Sequence, residues 1–140
     1  MLTGRFPDAG ERDPEALLAA YQDVLQTVID DHGVEAVLAE TGLDEPTVES
    51  LANGDAGEVT LEDAAAVLAL SAEYPDADAV VAEARDILLM GMTTAVMDVD
   101  SVAAELGGDL EPKEIQQKVE GRYPITLGEY ARIHHLLESK

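Results

Sequence analysis

The stretch AVLAETGLDEPTVESLANG, residues 36–54, constrains the fold of this chain more than any other. Its two parts each have an apolar stripe at helical spacing, formed by Val37, Leu38, Val48 and Leu51. Gly42 lies between the two parts, where the end of a helix favours a residue in the left-handed conformation. Pro46 then suits the first turn of a following helix, where its missing N–H is not needed. The stretch therefore predicts two short helices joined by a tight turn.

The second half of the chain repeats this pattern. The residues VDSVAAE at 99–105 match VEAVLAE at 34–40, and the pair Thr126-Leu127 matches Thr60-Leu61. Each copy follows a longer helical pattern, one from Pro14 to Asp31 and one ending near Met97. The displacement of about 65 residues is too long for a solenoid repeat and fits two copies of a four-helix unit. We expect neither copy to hold much core alone, so that the two pack together.

The predicted fold is therefore all-α, with about eight helices in two tandem four-helix, helix-turn-helix-like units that form one compact body. Residues 1–12 form a flexible N-terminal arm, residues 13–75 the first unit and residues 76–140 the second. Asp13-Pro14-Glu15 has the residue types of a helix start, and Thr126 with Glu129 has the spacing of a capping box. The sequence Tyr74-Pro75-Asp76 is predicted to end the fourth helix and to cap the fifth.

From Ala39 to Gly54 the residues follow the pattern A-x-T-G-L-x-x-x-T-V-x-x-L-x-x-G, which resembles the helix-turn-helix of the Cro and lambda-repressor-like family. The resemblance implies that the second helix of each motif lies in the DNA major groove, with its N-terminal side chains reading the bases. In the first unit it places the reading positions at Glu45, Thr47, Glu49, Ser50 and Asn53. The whole chain also resembles a small haloarchaeal family of uncharacterised function.

Thirty acidic residues against eight basic ones give the chain a net charge of −22. The acidic residues are spread through helically patterned segments, which argues against disorder. An acidic surface around a core of Leu, Val and Ala is similar to that of proteins from salt-in halophilic archaea. In about 1 M salt the Debye length falls to about 3 Å, so neighbouring carboxylates barely repel one another.

The two units differ in how well they suit nucleic acid. The reading positions of the first unit hold two glutamates and no cation, although contacts to phosphate come largely from Arg and Lys. In the second unit, residues 111–122 hold side chains suited to adenine, guanine and phosphate, and these are the candidate nucleic-acid-binding residues: Lys113, Gln116, Gln117, Lys118 and Arg122. The alternative is an ordinary exposed helix with Glu–Lys pairs, such as Glu114 with Lys118.

The remaining candidate chemistry has a structural explanation. The adjacent His134 and His135 point about 100° apart on a helix and do not chelate one ion easily. Asp98 is better explained as a helix N-cap than as half of a metal pair with Asp100. The methionines Met90, Met92 and Met97 suit core filling better than an adaptable binding surface. Cysteine is absent, so disulfides and thiolate metal sites are excluded. We expect no enzymatic activity, no cofactor and no metal.

Two functions from different classes follow from these observations. The first is a non-catalytic helical interaction or regulatory module of a halophilic archaeon. The alternative is a helix-turn-helix transcriptional regulator that reads DNA through the second unit. We expect a protein partner, with nucleic acid as the alternative partner, and a homodimer is compatible with both functions. No apolar run approaches the roughly 20 residues of a membrane span, and no signal peptide is recognised, so a cytoplasmic location is expected.

The charge predicts that the fold depends on salt. In dilute buffer the thirty carboxylates repel one another over about 10 Å or more, so the helical body should loosen. We expect circular dichroism to report less helix in dilute buffer than in molar KCl. An unchanged spectrum across that range would contradict the prediction.

Overall fold

Eight α-helices follow one another in the computed structural model, which describes Glu11 and residues 13–140. The helices are α1 (Pro14–His32), α2 (Val34–Thr41), α3 (Glu45–Ala52), α4 (Leu61–Leu68), α5 (Ala77–Ala95), α6 (Val99–Glu105), α7 (Pro112–Val119) and α8 (Leu127–Glu138). No β-strand occurs among these residues, which confirms the predicted all-α fold. The predicted arm, residues 1–12, lies outside the described residues apart from Glu11.

Side-chain caps start the helices at the predicted residues. The carboxylate of Asp13 accepts a hydrogen bond from the Ala16 backbone N–H at 2.7 Å, directly before the proline that begins α1. At α8, the Thr126 hydroxyl accepts from the Glu129 N–H at 3.1 Å, and the Glu129 carboxylate accepts from the Thr126 N–H at 3.0 Å. Further caps of the same kind are formed by Asp44, Thr60, Asp76 and Asp98. These bonds satisfy backbone donors that a helix leaves unpaired in its first turn.

The end of α4 differs from the prediction. The fourth helix was expected to reach Tyr74, but α4 ends at Leu68, because Ser71 N–H donates to the Leu68 carbonyl and the chain tightens into turns. The fifth helix, α5, runs through Gly91 without a break. Gly91 is buried, and a Cβ added there would lie 3.1 Å from Leu137 Cδ1. Its lack of a side chain therefore allows α5 and α8 to approach closely.

One hydrophobic core joins all eight helices. Among its fully buried side chains are Leu17, Tyr21 and Leu25 of α1, Leu88 of α5 and Tyr130 of α8. The main packing is between helices of opposite halves, since α1 packs on α8 and α4 packs on α5, while α5 and α8 also pack on each other. Each half thus buries its apolar faces against the other, as expected for units with little core of their own.

The segments before α4 and α8 meet in a reciprocal contact. Leu61 N–H donates to the Ile125 carbonyl at 2.8 Å, and Leu127 N–H donates to the Val59 carbonyl at 2.8 Å. Between these two bonds, Thr60 and Thr126 form an isolated antiparallel bridge. The residues on the two sides of the contact occupy the same place relative to the start of their helices. The contact therefore has an approximate two-fold symmetry.

The order of the helices repeats as well. Both α1 and α5 have 19 residues, and both α3 and α7 have 8. The helix α4 has 8 residues, and the helix at the same place in the second half, α8, has 12. We refer to α1–α4 as the first unit and to α5–α8 as the second. The boundary predicted between residues 75 and 76 falls in the loop before α5.

Within residues 13–140, no single helix is long and apolar enough to cross a bilayer. The helices α5 and α6 meet that test only when taken together, and they meet at an angle of 90°.

The reciprocal contact can be tested at Gly128. A Cβ added at this residue would lie 3.0 Å from the Gly57 carbonyl oxygen, which is backbone and cannot move without breaking its bond to Gly128 N–H. We expect Gly128→Val to destabilise the protein by about 1–3 kcal/mol, measured by thermal unfolding in molar KCl. Gly57→Ala is the control, because its Cβ would meet only Leu18 Cδ2 at 3.6 Å. Equal stability of the two variants would contradict the role given to this contact.

Candidate functional site

The predicted reading helix of the second unit is α7. It begins at Pro112, and its N-terminus is capped by a hydrogen bond that the Glu111 N–H donates to the Glu114 carboxylate at 3.4 Å. Ile115 and Val119 are buried and hold one face of the helix against the core. Gln116 and Lys113 are exposed on the opposite side, one turn apart. The local structure thus presents a polar face, as the sequence predicted.

The cations of this region are mostly paired with carboxylates of the same chain. Lys118 Nζ forms an ion pair with the Glu129 carboxylate of α8, and the Lys118 side chain is only 17% exposed. The pair of Lys118 with Glu114, which belonged to the alternative interpretation, is thus replaced by a contact with the next helix. Arg122 Nη2 lies 2.7 Å from Glu120 Oε2. Among the residues that the structure describes, Lys113 forms no ion pair, unlike Lys118 and Arg122.

The two glutamines differ in exposure. Gln116 Nε2 lies 3.5 Å from Glu120 Oε1, within the same exposed face, whereas Gln117 is half-buried. The Gln117 backbone carbonyl accepts the Arg122 N–H at 2.8 Å, so this residue helps to end the helix. The structure places the five candidate residues on one helix and the turn after it, and three of them, Lys113, Gln116 and Arg122, are exposed, although Arg122 is paired with Glu120.

The corresponding helix of the first unit, α3, is acidic. Its N-cap is Asp44, and the hydrogen bonds from the Thr47 side chain and backbone lower the pKa of this exposed carboxyl. Burial raises the pKa of Asp63 in the first turn of α4, and the charge of Asp44 raises it further. Carboxylates at the start of the helix repel phosphate, so α3 is unsuited to contact with nucleic acid.

A buried polar cluster lies in the core between α1 and α8. The Tyr21 hydroxyl and His134 Nδ1 share a hydrogen bond of 2.8 Å, and both side chains are buried. The Tyr130 hydroxyl donates to the Ala84 carbonyl at 2.6 Å, and its ring meets the His134 ring edge-on at 5.5 Å. Burial raises the pKa of both tyrosines, so their hydroxyls stay protonated. The cluster joins three helices of the core and is closed to solvent.

Residues predicted not to bind metal have other partners. The Asp98 carboxylate accepts the Ser101 N–H at 2.8 Å and caps α6, which confirms the predicted cap. His134 is engaged with Tyr21 in the core. Across Glu11 and residues 13–140, no group of three or more histidine or acidic side chains is placed to hold a metal ion.

An exposed apolar surface lies on the C-terminal half of α5. Leu89 is 41% exposed, Met90 68% and Val96 90%, and we call these three residues the α5 strip. Met92 and Met97 pack against the core, but core filling was the wrong prediction for Met90. The sequence does carry a signal for this surface, since no charged residue occurs from Ile87 to Met97 in a chain that is otherwise rich in carboxylates.

The fold of residues 13–140 is that of an all-α protein with eight helices. The chain belongs to a family of unknown function, DUF5791, whose model matches residues 17–140. No curated protein and no solved structure matches the chain.

The buried cluster predicts a pH dependence. Burial lowers the pKa of His134 to about 3, from an ordinary value near 6.5. The unfolded chain therefore takes up this proton first, and stability falls as the pH decreases from about 6.5 towards 3, by about 1.4 kcal/mol per pH unit. We expect the double variant Tyr21→Phe, His134→Leu to lose the contribution that His134 makes to the pH dependence of the free energy of unfolding.

The measurement is urea unfolding at several pH values between 7 and 4 in molar KCl. Carboxylate titration is common to both proteins, so the difference between wild type and variant isolates the histidine. Identical slopes would show that His134 is not held neutral by the fold.

Proposed function

We propose that this protein is a non-catalytic helical interaction module of a halophilic archaeon, which acts in the cytoplasm by holding a protein partner. The observation that carries the proposal is the α5 strip. Leu89, Met90 and Val96 expose apolar side chains on a surface otherwise dominated by carboxylates. Exposed apolar side chains close together in an acidic chain favour protein–protein contact.

The high negative charge supports the proposed salt environment. A protein with a net charge of −22 tolerates its own carboxylates when salt screens them within a few ångströms, on the order of 3 Å at 1 M. Contact through the α5 strip is compatible with high salt, because the burial of apolar surface does not depend on the charges that salt screens.

The alternative function is a DNA-binding regulator built on a scaffold like that of the Cro and lambda-repressor family. Its support is the exposed pair Lys113 and Gln116 on α7. Against it, Lys118 and Arg122 are already paired with Glu129 and Glu120, and an ion pair must be broken before either can bind phosphate. The interaction module is favoured because its surface needs no such rearrangement.

Titration with nucleic acid tests the proposal. We expect no binding of pooled double-stranded DNA or of RNA by filter binding in molar KCl, since only one cation of α7 is available. The variants Lys113→Glu and Lys140→Glu change the net charge equally, and Lys140 follows α8 and pairs with Glu105 of α6 at 3.3 Å.

Salt-tolerant binding that Lys113→Glu abolishes and Lys140→Glu preserves would overturn the interaction module. The DNA-binding regulator would then be the better proposal. Lys113→Glu is preferred to a change at Lys118, because loss of the half-buried pair with Glu129 would also disturb the α7–α8 contact.

A further inference from the structure

Asn53 is the only asparagine of the chain, and Gly54 follows it directly. The side-chain amide of an asparagine can be attacked by the backbone nitrogen of the next residue, and glycine hinders this attack least because it has no Cβ. Asparagine belongs to the thermolabile residues for this reason. Asn53 is the C-cap of α3 and is exposed, so water reaches its amide. A residue that the helix-turn-helix resemblance assigns to base reading therefore carries a second kind of chemistry.

The nitrogen that would attack is held less firmly than that of the following residue. The Gly54 nitrogen lies 3.4 Å from the Leu51 carbonyl oxygen, whereas the Asp55 nitrogen lies 2.9 Å from the Ser50 carbonyl oxygen. The usual range for such bonds is about 2.7–3.2 Å, and longer ones are weaker. Little free energy is therefore needed to release the Gly54 nitrogen from its partner.

Two glutamines of α1 hold the chain on both sides of residues 53–54. Gln26 donates from Nε2 to the Ala52 carbonyl at 3.0 Å, and Gln22 accepts the Ala56 N–H at Oε1 at 2.8 Å. Both bonds are partly buried and cross from one helix to the turn after another. The turn that contains the reactive pair is thus tied to α1 at both ends.

The reacting atoms are apart in the folded turn. With a ψ of 2° at Asn53, the Gly54 nitrogen eclipses the Asn53 backbone nitrogen and not its Cβ. Closure of a succinimide ring needs the Gly54 nitrogen beside Cβ, so the Cα–C bond of Asn53 must rotate first. The turn must therefore open before the reaction, and the bonds from Gln22 and Gln26 oppose that opening.

The second unit has a carboxylate at the corresponding place. Glu120 is the C-cap of α7, and Gly121 follows it with a φ of 85°, just as Gly54 follows Asn53 with a φ of 76°. The fold accepts a carboxylate at this position, so an aspartate formed from Asn53 is compatible with it. Isoaspartate is different, because it adds a methylene group to the main chain of a turn that is tied at both ends.

We propose that Asn53 is a site of spontaneous deamidation, at a rate in the folded protein that is set by the opening of the turn held by Gln22 and Gln26. The Gly54 nitrogen gives its proton to water or hydroxide and forms a bond to Asn53 Cγ. The bond from Cγ to the side-chain nitrogen then breaks, and ammonia leaves. Water adds to one of the two carbonyl carbons of the succinimide and opens it to aspartate or isoaspartate.

This modification does not depend on the proposed interaction function. Each event replaces a neutral amide by a carboxylate, next to Asp55 in the chain, and requires only water and base. Where isoaspartate forms, the longer main chain breaks at least one of the two bonds to α1.

Peptide mapping by mass spectrometry of the full chain, incubated at mildly alkaline pH in molar KCl, tests the proposal. We expect conversion of Asn53 to aspartate and isoaspartate, with enzymatic methylation of isoaspartate as a second readout. The four glutamines should stay intact over the same period, because a glutamine has to form a larger ring. The chain unfolded in urea should convert faster than the folded chain.

The turn itself is tested by glutamine variants. Gln26→Ala should speed the conversion about fivefold, as expected from the loss of one hydrogen bond, and Gln22→Ala should act in the same direction. Gln116→Ala is the matched control, because Gln116 Nε2 lies 3.5 Å from Glu120 Oε1 in the second unit and should leave the rate unchanged.

A core variant separates opening of the turn from unfolding of the whole chain. Ile133→Val shortens a fully buried side chain of α8 and lowers the stability of the whole fold, measured by thermal unfolding. It leaves the bonds from Gln22 and Gln26 in place, so the rate of conversion should not change.

Three results would overturn the proposal. The first is an Asn53 amide that stays intact in all of the folded proteins while the chain in urea is converted. The second is a rate for Gln26→Ala and Gln22→Ala equal to that of wild type. The third is an acceleration by Ile133→Val as large as that by Gln26→Ala, since the reaction would then require unfolding of the whole chain.

Discussion

The reciprocal contact between residues 59–61 and 125–127 is the constraint on which the rest of the structure depends. Its two backbone hydrogen bonds place the starts of α4 and α8 side by side. The helix α4 then packs on α5, and α8 packs on α1. Each half therefore supplies a helix that completes the core of the other. A single unit would leave these apolar faces in water, and burial of such faces is the main favourable term in folding. The two units are consequently one folding body.

The few cations of this acidic chain connect helices to one another. Arg85 of α5 lies 2.6 Å from Glu62 of α4, and Lys118 of α7 pairs with Glu129 of α8. Two further pairs join Arg132 to Asp109 and Lys140 to Glu105. Pairs that are partly buried are screened less by salt than exposed ones. Most of the positive charge between residues 85 and 140 is therefore used in ion pairs within the chain.

Local chemistry made much of the fold predictable, and long-range contacts made the rest unpredictable. The helix starts at Asp13 and Thr126 depend on residues three positions away, so they can be read from sequence. The pairing of Lys118 with Glu129 depends on how α7 packs against α8. Sequence spacing alone favours the pair of Lys118 with Glu114, four residues away in α7, just as well. Met90 was expected in the core because methionine commonly fills cores, yet it lies two residues after the buried Leu88 and so falls on the opposite side of α5.

The buried cluster has a consequence for how the two halves can evolve. Tyr21 and Ala84 hold the same place in α1 and α5, while Tyr130 and His134 hold the places taken by Ala64 and Leu68 in α4. One side of the body therefore contains three rings and the other three aliphatic side chains. Two first halves, or two second halves, would mismatch in volume and lose the bond between Tyr21 and His134. The halves have become complementary, so neither can be replaced by a copy of the other, and a gene that lost one of them could not recover the fold by self-association of what remained.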